Sequence, residues 1–146
     1  MTPKSAWQEV AETENFGHID PQAYLHSAAS VPTIVAIASL QSSTFEIYRG
    51  CLIREGTSHE NVDLWLEELD STQAAERMVN HLHIWDVADF GPRSSEFIAA
   101  WIASGWSTSA RSQFPELRIR TSHSEGGYGY EVNIWTEPDA KPNQQV

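Results

Sequence analysis

The sequence predicts an α+β protein: a small antiparallel sheet of about three strands, including a C-terminal hairpin, covered by about four to six helices. Apolar residues recur at helical spacing through much of the first two thirds of the chain. After Pro115 the period changes to two, and a glycine-rich turn separates two alternating segments. Helical and strand patterns are therefore largely segregated along the chain, which is typical of this fold class.

The first forty residues predict three helices. Ser5–Asn15 carries a short apolar stripe, and Asp20 is a good cap for a helix over Pro21–Ala29, which begins with proline. The apolar run Val31–Leu40 fits either a buried helix or a buried strand. We favour the helix, because Pro32 suits a first helical turn and the alanines of this run lower its strand propensity.

One strand and one short helix are predicted next. Phe45–Arg54 begins with alternating apolar and polar residues and predicts a strand, in which Gly50 marks a bulge or a close approach of another backbone. Glu60–Leu69 has mixed helical spacing and predicts a short helix. We expect the strand to join the C-terminal hairpin as the third member of one sheet.

The longest helical pattern covers Ala74–Phe90, and we expect the other elements to pack around it. Ser71 or Thr72 would cap its start, and the Gly91–Pro92 pair would stop it. Asp86 interrupts the apolar face of this helix. A carboxylate buried there requires a partner, unless the helix ends near Trp85.

A further helix and the hairpin complete the prediction. Ser94 is expected to begin the helix, in which Gly105 is either a C-cap or a site where another backbone comes close. Leu117–Ser122 and Tyr130–Trp135 then alternate with a period of two. The turn between them contains Glu125–Gly127, so a hairpin is predicted.

Length and composition predict one folded, acidic domain. The 146 residues contain 20 acidic and 9 basic side chains, for a net charge of −11. We expect residues 1–137 to form a single globular domain and 138–146 a flexible tail. The arginines are scattered, so nucleic acid is not an expected partner, whereas the negative field could steer a basic protein.

The sequence shows no apolar run long enough for a membrane span, so no membrane association is expected. Its single cysteine, Cys51, excludes an internal disulfide framework and fits a reducing compartment. We therefore predict a cytoplasmic protein, and the sequence indicates no oligomeric state.

Three groups of polar residues are candidates for chemistry. His81 and His83 would point away from each other on a helix and could not share a metal ion unless the helix breaks there, whereas on a strand they would share a face. We favour the helix, so no metal site or cofactor is predicted. His83 and Asp86 could form a pair in which the carboxylate orients the imidazole. A Cys51, His83 and Asp86 constellation is also conceivable, but its spacing is not diagnostic, and a lone cysteine in an apolar strand is usually a core residue.

The predicted hairpin adds an arginine pair. Arg118 and Arg120 would lie on the polar side of a strand, opposite Glu131 or Asn133. The alternative is an arginine patch for an anionic ligand beside Tyr128 and Tyr130. The candidate ligand-binding residues are therefore His83, Asp86, Arg118, Arg120 and Tyr128, and no catalytic residue is assigned.

Size and charge favour a non-enzymatic protein-binding module that masks a basic partner, as immunity proteins and antitoxins do, an analogy of size and charge only. The alternative is a small-molecule-binding protein or enzyme, with a tryptophan-lined pocket and with His83 and Asp86 as its polar groups. No motif of the sequence indicates catalysis.

Overall fold

The computed structural model describes residues 2–17, 19–89 and 91–138 and confirms the α+β class. Within these ranges the chain forms six α-helices and five strands. The helices are α1 (Pro3–Thr13), α2 (Pro21–Ala28), α3 (Val31–Gln41), α4 (His59–Glu68), α5 (Thr72–Val79) and α6 (Pro92–Gln113). The strands are β1 (Phe45–Tyr48), β2 (Cys51–Arg54), β3 (Leu82–His83), β4 (Ile119–Glu125) and β5 (Tyr130–Thr136).

The helix starts follow the capping residues. A carboxylate oxygen of Asp20 accepts a hydrogen bond from Ala23 N at 2.9 Å, as its place before Pro21 predicted. Ser30 caps α3 in the same way, and the ambiguous apolar run is a helix. Of the two predicted caps of α5, Ser71 is the one that accepts from the backbone, at Ala74 N. None of the described helices is long and apolar enough to cross a membrane.

The single strand predicted over Phe45–Arg54 is wrong, because the chain reverses in its middle. Arg49 and Gly50 both have positive φ, 48° and 80°, and form a two-residue turn between β1 and β2. Positive φ at both central positions is the geometry of the hairpin turns that match strand twist. Gly50 is therefore a turn residue, and β1 and β2 form a separate two-stranded sheet.

The predicted C-terminal hairpin is present as β4 and β5. Its register pairs Thr121 with Ile134 and His123 with Val132. The third strand of this sheet is β3, on the free side of β5, so the sheet order is β3-β5-β4. The expectation that Phe45–Arg54 supplies the third strand is thus wrong.

The helix predicted over Ala74–Phe90 is also wrong beyond Val79. Asn80 ends α5, and β3 and a short 3₁₀ turn over Ile84–Asp86 follow. The side chain of Asn80 is fully buried and donates to Leu52 O at 2.7 Å and to Ile134 O at 3.3 Å. These bonds hold the end of α5 between the two sheets, so the residues after it pair with β5. Phe90 lies outside the described residues.

Glu76, one turn before Asn80, joins the same two sheets. Its carboxylate is fully buried and accepts hydrogen bonds from Leu52 N and from Thr136 N, each at 2.7 Å. The hydroxyl of Thr136 donates to it as well. One side chain of α5 and that of its C-terminal capping residue therefore bridge β2 and β5, whose backbones do not pair directly. We call Glu76 and Asn80 the polar bridge.

The main core lies between α6 and the three-stranded sheet, with Trp106 fully buried in it. The helix begins at Pro92, two residues before the predicted start at Ser94, and runs through Gly105. A Cβ atom at Gly105 would overlap the side chain and carbonyl oxygen of Gln41. The close-approach alternative is therefore confirmed, and it fixes the end of α3 against α6. The predicted tail, 138–146, lies outside the described residues apart from Pro138.

Candidate binding cleft

Three aromatic rings lie in a row after α5. The ring centroids of His81 and His83 are 4.7 Å apart, and those of His83 and Trp85 are 4.3 Å apart and nearly parallel. Nδ1 of His81 lies 2.6 Å from Met78 O, so this nitrogen carries the proton and donates it. The expectation that the two histidines diverge is wrong, because residues 81–83 are not helical. Among the described residues, no group of three or more histidine, cysteine or acidic side chains is placed to hold a metal ion.

His83 lies between two carboxylates. Its Nδ1 is 3.2 Å from Oδ2 of Asp86, and its Nε2 is 3.6 Å from Oε1 of Glu131, the residue opposite on β5. The pair of His83 and Asp86 therefore exists, although a strand and a 3₁₀ turn form it instead of a helix. The imidazole thus has a carboxylate near each ring nitrogen, and the ring of Trp85 stacks on its face.

The indole ring of Trp85 packs against the turn of the β4–β5 hairpin. A Cβ atom at Gly129 would be 3.0 Å from Cε3 of Trp85, and Gly129 has a φ of 145°. Only glycine suits both the backbone conformation and the close approach of the indole. The ring of Tyr128 meets the edge of Trp85, with centroids 6.5 Å apart.

These residues wall a cleft of about 340 Å³ that opens to solvent between the hairpin turn and the start of α6. We call it the acidic aromatic cleft. Its aromatic and acidic lining residues are Trp85, Asp89, Glu125, Tyr128 and Tyr130, and no lysine or arginine of the described residues lines it. Desolvation, followed by the charges of Glu96 and Glu125, raises the pKa of Tyr130. The cleft therefore combines aromatic faces with negative potential.

The predicted site residues separate into two groups. His83, Asp86 and Tyr128 all lie beside Trp85. Arg120 is five residues before Glu125 on β4, about 17 Å away along the strand. Arg118 and Arg120 form ion pairs with Glu137, at 3.1 and 2.9 Å.

The predicted partners of these arginines are wrong, because Glu131 pairs with Ser124, and Asn133 with Ser122. A hydrogen bond from Arg120 lowers the pKa of Glu137. This arginine pair already holds a carboxylate at the far end of the hairpin. It does not form one patch with Tyr128.

Trp85, Asp89 and Glu125 were not predicted as site residues, and Tyr130 was considered only as a neighbour of the arginine patch. Placing Trp85 on a helix assigned it to a core-facing surface, whereas its side chain is about one third exposed. The one signal in the sequence was the spacing of two between His81, His83 and Trp85, which suits an extended chain.

A second groove, of about 750 Å³, lies between α1, α2 and α6. It is mainly apolar, and two tryptophans, Trp7 and Trp101, contribute to its lining. Neither His83 nor Asp86 lines it. The tryptophan-lined pocket and the polar pair that the sequence suggested as one site are thus separate places.

Cys51 is fully buried with Ile53, Val62 and Ala75 in a second core cluster. Burial, together with the charge of Glu76, raises the pKa of its thiol to about 11. We expect the folded protein to show no reaction with 5,5′-dithiobis(2-nitrobenzoate) at about pH 8, because the nucleophile is the thiolate. Reaction should appear on unfolding in guanidinium chloride. Rapid labelling of the native chain would contradict this.

Comparison with protein-family models, with curated proteins and with solved structures finds no significant match.

Proposed function

We propose that this chain is a non-enzymatic protein-binding module that binds a basic segment of a partner protein in the acidic aromatic cleft. The observation that carries the proposal is the lining of the cleft: the rings of Trp85, Tyr128 and Tyr130 beside the carboxylates of Asp89 and Glu125. A cation is attracted to the face of an aromatic ring, and a guanidinium also forms paired hydrogen bonds with a carboxylate.

Arginine fits this cleft better than lysine does. Its planar guanidinium stacks on a ring while its outer edge donates to a carboxylate, whereas an ammonium is a strongly hydrated point charge. The chain itself forms such stacks elsewhere: Arg77 lies 4.1 Å above the ring of Trp135, and Arg54 lies 4.6 Å above that of Trp106. The net charge of −11 would speed the approach of a basic partner.

Binding of matched peptides tests the proposal. We expect a glycine–serine peptide with three arginines to bind more tightly than its lysine version, and a glutamate version not to bind, in isothermal titration calorimetry. Trp85→Ala should weaken arginine-peptide binding about two- to fivefold, the effect of one exposed cation–π contact. Glu125→Gln should also weaken it.

Glu68→Gln is the matched control, because Glu68 is an exposed residue of α4 and the substitution removes the same charge. The control should leave binding within experimental error. Equal weakening by Glu68→Gln and Glu125→Gln, with no effect of Trp85→Ala, would mean that the peptide responds only to net charge. That outcome would overturn the cleft as the binding site.

A further inference from the structure

Helix α3 exposes an unusual amount of apolar surface. Every residue from Val31 to Ser39 is exposed. Its large aliphatic side chains are exposed by 46–74%: Val31, Ile34, Val35 and Ile37. Removing such aliphatic side chains from water is favourable, so this face is a candidate for a contact surface.

The apolar residues are arranged as a stripe. Val31, Ile34, Val35 and Ala38 recur at intervals of three and four residues and share one side of the helix. We call these four residues the α3 stripe. Leu40 points the opposite way and packs against the main core, and its carbonyl oxygen accepts from Nε1 of Trp106 at 2.9 Å. The helix is thus attached at its C-terminal end while the stripe faces away from the core.

The lack of charge around α3 favours a second copy of the chain as the partner. No charged residue occurs between Ser27 and Thr44, although the chain as a whole carries −11. A basic partner would gain nothing from charge at this helix, whereas two copies of the chain could meet here without bringing carboxylates together. Residues 139–146 contain only Ala140 and Val146 as apolar residues, too few to cover the α3 stripe.

The spacing of the α3 stripe suits a helix-to-helix contact. Side chains at intervals of three and four residues form ridges that pack into the grooves of a second helix. A second copy of the chain supplies a helix with the same uncharged ridge.

We propose that two copies of this chain associate through α3, with the α3 stripe of each packed on that of the other about a two-fold axis. The same patch serves both copies, as in other isologous interfaces. Alanine at position 38 lets the two helices approach closely. Ile34 and Val35 lie in the middle of the stripe, so the axis passes near them.

Sedimentation velocity of the full chain tests the proposal. The wild type should show a species of twice 16.4 kDa at micromolar concentration. Ile34→Glu should raise the dissociation constant at least about tenfold, because it places two like charges at the two-fold axis. Leu64→Glu is the matched control: Leu64 is an exposed aliphatic residue of α4, and this substitution should leave the dimer intact.

Disulfide cross-linking gives a second test, which places no charge in the α3 stripe. Val35→Cys should form a disulfide-linked dimer on mild oxidation, and Leu64→Cys should not, while the buried Cys51 remains reduced in both. A wild-type chain that stays monomeric, or a dimer that Ile34→Glu leaves unchanged, would overturn the proposal. A monomer that binds phosphatidylcholine vesicles through Ile34 would also overturn it and would assign the stripe to lipid.

Discussion

Replacing Glu76 with alanine is expected to lower the free energy of unfolding by about 3 kcal/mol or more, measured by urea denaturation. The change removes the acceptor of two buried N–H groups, Leu52 N and Thr136 N. Each buried donor left without a partner costs about 1–3 kcal/mol. The loss also weakens the connection between β2 and β5, for which the side chain of Asn80 remains.

Glu67→Ala is the control for this variant. Glu67 is an exposed acidic residue of α4, and its removal should change stability by less than about 0.5 kcal/mol. Equal stability of Glu76→Ala and wild type would contradict the role of the polar bridge.

The pH dependence of stability shows how ionisation of the Glu76 carboxyl group affects folding. Desolvation raises the pKa of its carboxyl group above 4.5, against the opposite effect of its hydrogen bonds. The folded state therefore holds this proton more tightly than the unfolded state, and its stability contribution falls as pH rises above 4.5. Glu76→Gln does not titrate. Its deficit relative to the wild type should shrink from acidic to neutral pH, and a widening deficit would contradict the raised pKa.

Trp106→Ala is expected to cost about 3–5 kcal/mol in the free energy of unfolding, the usual effect of emptying a buried aromatic site. The ring is fully buried, meets Phe45 edge-on at 6.5 Å and supports the guanidinium of Arg54. Its Nε1 also donates to Leu40 O, so the variant weakens the attachment of α3. Thermal and urea denaturation should both report the loss.

Two further variants show which feature of Trp106 stabilises the fold. Trp106→Phe keeps a ring but removes the bond to Leu40 O, and it should cost less than Trp106→Ala. Trp85→Ala removes a tryptophan that is about one third exposed and should have a much smaller effect on stability. A Trp85→Ala deficit as large as that of Trp106→Ala would show that Trp85 is a core residue and not the wall of a binding site.

Local sequence signals predicted the structure correctly where the residues that determine an element lie within it or next to it. The hairpin of β4 and β5 follows from two period-two segments and a glycine-rich turn. The starts of α2 and α3 follow from a capping side chain and a proline. These signals act within a few residues, so no knowledge of the rest of the fold was needed.

Local signals failed where a side chain forms hydrogen bonds with the backbone of a strand that is distant in the sequence. Residues 82–90 have helical spacing, but the hydrogen bonds of Asn80 to Leu52 and Ile134 stop α5 and turn the chain along β5. Nothing local distinguishes Glu76 from an ordinary exposed glutamate of a helix. The cleft was missed for the same reason, since Trp85 reaches it only because the helix ends early.

The most direct test of the proposed function is an NMR titration of the intact chain with the three-arginine peptide. Bound arginine should lie on the face of the Trp85 indole that His83 does not cover, so its δ-methylene protons should shift upfield and show nuclear Overhauser effects to the ring of Trp85. The chain resonances that move should belong to Trp85, Asp89, Glu125, Tyr128 and Tyr130. Shifts spread over the acidic surface of α4, without contacts to Trp85, would contradict binding in the acidic aromatic cleft.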